Sequence, residues 1–156
     1  MGALYFLALF FVALALVPAG AHVAELVHKM PMDAREYQTV QQIYRGWALF
    51  GIVVIGALVS LLLLTIRLRR NPRARTPALI ALLSIAATQV VFWTFTYPVN
   101  QATANWTIMP PDWMDLRARW EYSHAASAAF NLVALVAMLI SVLRYRVLER
   151  DAHGAA

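Results

Sequence analysis

The sequence predicts an all-α fold, an integral membrane bundle of four helices running up and down. Three observations carry that prediction. Of 156 residues, 62% are hydrophobic and only 13% charged, whereas a soluble domain carries about 25% charged residues. Four apolar segments, at about 3–26, 44–66, 77–98 and 120–142, each reach the roughly 20 residues that a helix needs to cross the hydrocarbon. The connections are short, which favours antiparallel neighbours. One membrane domain accounts for the whole of residues 1–156. This composition argues against a soluble enzyme, a disordered chain or a DNA-binding module. The chain has no cysteine, so disulfides, thiolate metal sites, iron–sulfur clusters and cysteine nucleophiles are excluded.

Span one starts near Ala3 and ends near Leu26. Ala19-Gly20-Ala21 resembles a signal-peptidase site, but no basic residue precedes the run and the run is long for a signal h-region; the span is expected to be retained. Before span two, Pro31 is followed by Asp33-Ala34-Arg35-Glu36, a pattern like a capping box. Before span four, Pro110-Pro111 lead into Asp112, a good N-cap residue. Helices two and four are therefore expected to begin outside the bilayer. Trp106, Trp113, Trp120 and Tyr122 cluster at that boundary, where most such aromatics anchor a span at the headgroups.

Arginines set the expected orientation. Arg67, Arg69, Arg70, Arg73 and Arg75 lie between spans two and three, and Arg144, Arg146 and Arg150 follow span four. The other side carries Lys29, Arg35, Arg45, Arg117 and Arg119, offset by six acids. The positive-inside rule places both termini and the middle loop in the cytoplasm of an inner-membrane protein. Residues 27–43 and 99–119 then form extracytoplasmic loops. A pI near 10.1 thus reflects membrane topology, and no nucleic-acid partner is expected. The bilayer is the expected partner, together with a small hydrophobic molecule; self-association into a homo-oligomer is left open. His153 falls in a polar tail and is expected to be solvated.

Ionisable residues inside a membrane are costly and usually functional. Span four carries Arg117, Glu121, His124, Ser127 and Asn131. At about 100° per residue these fall within one arc of roughly 120°, so they form a stripe that should face the bundle interior. Span one carries His22 and Glu25, neighbours at i,i+3, with His28 and Lys29 next if the helix continues. The two spans run in opposite directions, which puts His22-Glu25 and Glu121-His124 at similar height. Tyr44, Arg45, Gln89, Thr94, Tyr97 and Asn100 add polar groups in the same half. Glu-x-x-His spacing on facing helices suits a mononuclear or dinuclear iron, copper or manganese centre. His22, Glu25, Glu121 and His124 are thus candidate metal ligands. Three other readings stand beside this one. Two facing histidines could hold a haem, with Arg45 or Arg117 near its propionates. Glu and His could transfer protons to an organic molecule without metal. The acids could instead be structural, Glu25 pairing with Lys29 and Glu121 with Arg117.

One series is hard to obtain from composition alone: Tyr97-Pro98-Val99-Asn100, Asn105-Trp106, Pro110 to Trp113, Leu116-Arg117 to Trp120-Glu121, and His124. With Gly20-Ala21-His22, Glu25 and Tyr37 to Tyr44, it resembles the anthrone oxygenase-like family of small membrane proteins, over nearly the whole chain. The resemblance implies four membrane helices. It also implies, for a few fungal relatives, oxidation of anthrones to anthraquinones by molecular oxygen; it brings no cofactor or mechanism.

Residues and resemblance together lead to the expectation of a membrane oxidoreductase acting on a small lipid-soluble aromatic or quinone-like molecule. Glu121, His124, His22 and Glu25 would be catalytic. Arg117, Asn100, Asn105 and Asn131 would contact substrate, and Trp106, Trp113 and Trp120 would line an apolar entrance. The rival expectation is a non-catalytic ligand carrier or subunit whose Glu/His layer is structural.

Overall fold

The structure is a computed structural model that describes the backbone of residues 1–154 and the side chains of residues 1–146. The expectations for the side chains of Arg150 and His153 lie outside the described residues. Helix α1 spans Gly2–Lys29, α2 Ala34–Gln41, α3 Phe50–Arg67, α4 Pro72–Val91, α5 Tyr97–Ala102 and α6 Trp113–Gly154. Two 3-10 turns, Gln42–Tyr44 and Trp47–Leu49, join α2 to α3, and a π-helical turn, Phe92–Thr96, joins α4 to α5.

Four stretches are long and apolar enough to cross a membrane: Gly2–Lys29, Trp47–Arg67, Pro72–Ala102 and Trp113–Arg146. They pack as the expected bundle, with shifted boundaries. The first and third run past Leu26 and Pro98, and the fourth begins at Trp113 rather than Trp120. Much of the expected 27–43 and 99–119 loops is therefore helical.

The Asp33 capping box forms. Its Oδ1 accepts from the Arg35 and Glu36 amides at 2.9 Å, and Glu36 Oε2 accepts from the Asp33 amide at 3.2 Å. However, it caps the separate helix α2, not the second span. Gly46, at φ 91°, turns the chain between α2 and α3 in the left-handed region that suits glycine.

At the arginine-rich end, Ala8, Ala57, Ala74, Ala78, Ala81 and Ala134 are fully buried. Small side chains let membrane helices approach closely. A Cβ at Gly56 would sit 2.7–2.8 Å from the Phe11 ring, so α1 and α3 touch there. Ser141 Oγ donates to the Ala74 carbonyl at 2.8 Å and lies 3.1 Å from the Tyr5 hydroxyl, tying α1, α4 and α6 together. Phe6, Ile52, Leu83, Val90 and Leu143 point outward and are more than half exposed, as lipid-facing side chains are.

The π-helical turn has an identifiable cause. Pro98 has no N–H to give the Thr94 carbonyl four residues back. That carbonyl accepts from Arg119 Nη2 of α6 at 2.8 Å, and the Tyr97 amide reaches the Phe92 carbonyl in a five-residue step. The helix continues beyond proline because a neighbouring helix supplies the missing donor.

Candidate functional site

At the end of the bundle opposite the arginines, α1 presents His22, Glu25 and Lys29 on one face, at i, i+3 and i+7. Lys29 is 1% exposed. Its ammonium lies 2.9 Å from Glu121 Oε1 and 3.4 Å from Glu25 Oε2. It also lies 3.1 Å from the Tyr44 hydroxyl and 3.4 Å from His22 Nδ1. A buried ammonium needs paired, hydrogen-bonded neighbours to offset its desolvation, and here α1, α6 and the α2–α3 connection supply them.

Glu121, 1% exposed, is the second centre of the cluster. Its Oε1 accepts from Lys29, from the Tyr37 hydroxyl at 2.9 Å and from Gln41 Nε2 at 3.4 Å. Tyr37 and Gln41 lie at i,i+4 on α2, so the capping box at Asp33 indirectly positions both. Burial, then the nearby Glu121 charge, pushes the Tyr37 hydroxyl pKa well above the ordinary tyrosine value. Tyr44 is pushed up by burial and by its hydrogen bond to Glu25. Both phenols thus stay protonated and act as donors. Glu121 Oε2 is buried with no partner among the described residues, as is His124 Nε2.

Aromatic rings enclose the cluster. The His22 and His124 rings lie 4.1 Å apart between centroids, 30° from parallel. The Trp120 ring packs 4.2 Å from His124 and 4.9 Å from His22, and its Nε1 donates to Asn100 Oδ1 at 2.8 Å. Tyr44 and Trp47 cover His22 from the connection at 4.5 and 5.5 Å. Trp106 is 2% exposed and meets Tyr37 edge-on at 4.9 Å. The turn that delivers it is unusual: Ala104, Asn105 and Trp106 have φ of 46°, 54° and 61°. Three successive non-glycine residues in the left-handed region are costly, and the burial of the indole offsets that cost.

The four expected catalytic residues do converge, but not as metal ligands. Among the described residues no group of three or more His, Cys, Asp or Glu side chains is placed to hold one ion. The Lys29 ammonium occupies the position between the two carboxylates, so the site carries its own cation. Haem fits no better, because the two imidazoles pack against each other with no room for iron between them.

Several individual expectations change as well. Arg117 does not pair with Glu121. It donates to the Met32 carbonyl at 2.7 Å and the Lys29 carbonyl at 3.5 Å, closing the C-terminal end of α1, and its guanidinium rests 4.6 Å over Trp113. These contacts commit its guanidinium to the chain that leaves α1. Arg45 is exposed and bonds Gln42, away from any propionate role. Asn105 is exposed, in the left-handed turn, and its backbone amide donates to the Asn100 carbonyl at 2.7 Å. Trp106 and Trp120 are interior, neither headgroup anchors nor a lined opening, while Tyr122 is 58% exposed. Asn131 does face inward, at 6% exposure, but bonds the Ser127 carbonyl of its own helix at 2.9 Å.

Lys29, Tyr37 and Gln41 are the site residues the sequence reading did not single out as such. Lys29 reads in the sequence as an outer-side basic residue and a local partner of Glu25, although its i+7 spacing from His22 puts it on the same face. Tyr37 and Gln41 share one face of the helix that the capping box announces.

Fold and site together define a class: a four-helix membrane protein with a closed, ion-paired and aromatic-walled polar layer at one end. No family model, curated protein or solved structure matches this chain.

Proposed function

We propose that this chain is a membrane oxidoreductase acting on a small lipid-soluble aromatic or quinone-like molecule, with Glu121 moving the proton. One observation carries the reading. Glu121 Oε1 is held by three donors, while Oε2, like His124 Nε2 one helical turn away, is buried and unpartnered. A carboxylate anchored on one side and free on the other is built to accept a proton. The aromatic walls suit a planar apolar substrate, and the resemblance to the anthrone oxygenase-like family points the same way.

For an anthrone-like ketone, Glu121 takes a proton from the activated methylene. Molecular oxygen is the oxidant. The methylene becomes a carbonyl carrying one oxygen atom, and the other oxygen leaves as water with the two methylene hydrogens. Substrate reaches the site when the Tyr44–Trp47 cover swings on Gly46. In the same reading the bilayer is the cytoplasmic membrane, with both termini and the Arg67–Arg75 loop in the cytoplasm; eight of thirteen basic residues at one end support this.

Oxygen uptake by detergent-purified protein with anthrones or hydroquinones tests the proposal. In the folded fraction, Glu121→Gln and His124→Asn should lose about 10²-fold or more in turnover, and Glu121→Gln, which leaves the buried Lys29 ammonium short of a carboxylate, should also lower Tm. Wild-type protein without uptake, or folded variants that retain it, would overturn it. The second reading is a non-catalytic subunit or carrier whose polar layer holds the bundle together. It is favoured by the packing: Lys29 and Glu121 are each 1% exposed, and the grooves lined by Pro77 and Arg144 and by Val91 and Ala126 do not reach them. It predicts no uptake, and stability loss as the variants' only phenotype.

A further inference from the structure

An apolar groove of about 450 Å³ lies between α4 and α6 at the arginine-rich end. Pro77 and Ile80 form one wall, Val133 and Val136 the other, and Thr76 and Arg144 mark its end. Val133 and Val136 are about half exposed, so the groove opens sideways, towards lipid. Val133 and Arg144 are about 16 Å apart along a helix axis, close to half of the ~30 Å hydrocarbon core. An extended chain lying there would span one leaflet and end at a guanidinium.

The charge at that end is unbalanced. Arg67, Arg69, Arg70, Arg73, Arg75, Arg144 and Arg146 gather there, while Glu25, Asp33, Glu36, Asp112, Asp115 and Glu121 belong to the other end. The ion pairs among the described residues both belong to Lys29. The acids of the tail, Glu149 and Asp151, lie outside the described side chains. Arg144 uses one N–H on the Arg73 carbonyl at 3.3 Å, and a guanidinium has five. That bond also holds it beside the first turn of α4, whose N-terminus favours negative charge. The Thr76 hydroxyl is committed to the Pro72 carbonyl, so Arg144 is the rim residue with side-chain donors to spare.

We propose that this groove binds one anionic glycerophospholipid, an acyl chain along the α4–α6 wall and the phosphate at Arg144. Apolar shape and an excess of arginine over acid meet at one place, and an anionic lipid satisfies both. Basic pockets between membrane helices bind acidic headgroups by the same balance of forces. The proposal is independent of the chemistry assigned to Glu121.

Native mass spectrometry of delipidated protein, given phosphatidylglycerol and phosphatidylcholine with identical chains, tests it. The expected result is one retained phosphatidylglycerol per chain, preferred by about fivefold, the contribution of one basic contact near the surface. Arg144→Gln should bring the preference close to one. Val136→Trp, filling the groove from its lipid-facing side, should weaken retention of both lipids while thermal unfolding in lipid-free detergent stays unchanged. Arg69→Gln/Arg70→Gln, outside the groove, should leave the preference intact. Equal retention of the two lipids, an unaltered preference in Arg144→Gln, or equal loss in the Arg69/Arg70 variant would overturn the site in favour of a diffuse basic belt. Full displacement by inorganic phosphate would overturn the acyl-chain contribution.

Discussion

Lys29 decides the character of the polar layer. It stands three residues beyond the apolar run of span one, where a lysine could extend to the headgroups. Instead it turns inward, because Glu25 and Glu121 present carboxylates there and Tyr44 and His22 complete its shell. Removing one partner of a buried pair leaves the other charge uncompensated, at about 3–5 kcal/mol. Lys29→Met should therefore destabilise by that order, read as thermal unfolding in detergent. Lys29→Met/Glu121→Leu should recover most of the loss, since an apolar replacement of the whole pair is often neutral; a double variant as unstable as the single would contradict the pairing. The phenols set the alkaline limit. The folded-state pKa of Tyr37 and of Tyr44 lies above the ordinary value, which is about 10. Their contribution is complete below about pH 10 and is lost as pH rises through the raised values, because the unfolded chain loses protons first. Tm should fall above about pH 10, and less steeply in Tyr37→Phe. Identical slopes in the two proteins would show that another group sets the limit.

Among the elements, the passage from α4 to α5 shows how far local rules reach. Pro98 reads as the end of span three, yet the helix continues to Ala102 because Arg119 satisfies the Thr94 carbonyl. Arg119→Met should lower Tm by on the order of 5 °C, the effect of an orphaned carbonyl in a chain of this size. Pro98→Ala restores a backbone N–H that can take over that carbonyl, so Arg119→Met should cost little in the Pro98→Ala background. Equal losses in both backgrounds would mean that Arg119 acts through the placement of its guanidinium 5.6 Å over the Phe95 ring. The capping box shows the reverse relation. Its residues were readable and its hydrogen bonds form, but no local signal shows which helix it begins. The helix ends at Gln41 and Gly46 turns the chain before span two, and only the packing of Tyr37 on Trp106 and Glu121 makes this short helix part of the site.

For the whole molecule, orientation is the property most directly open to experiment. With eight basic residues at one end, a reporter fused after Ala156 should be active only in its cytoplasmic form; activity of the periplasmic form would invert the topology. The sequence alone determined the class of fold, because span length and apolar content are imposed by the bilayer, whatever the helices pack against. It also determined the inward stripe of Arg117, Glu121, His124 and Asn131, since a 3.6-residue repeat puts them on one face and lipid rejects that face. What filled the space between the helices was decided only by tertiary structure. His22, Glu25, Glu121 and His124 carry the residue types and spacing of a metal centre, and helical periodicity cannot tell an ion from an ammonium. The Lys29 side chain reaches that position only when α1, α2 and α6 come together. Burial then makes its charge costly to leave unpaired, and the carboxylates that could have bound a metal close on the lysine instead.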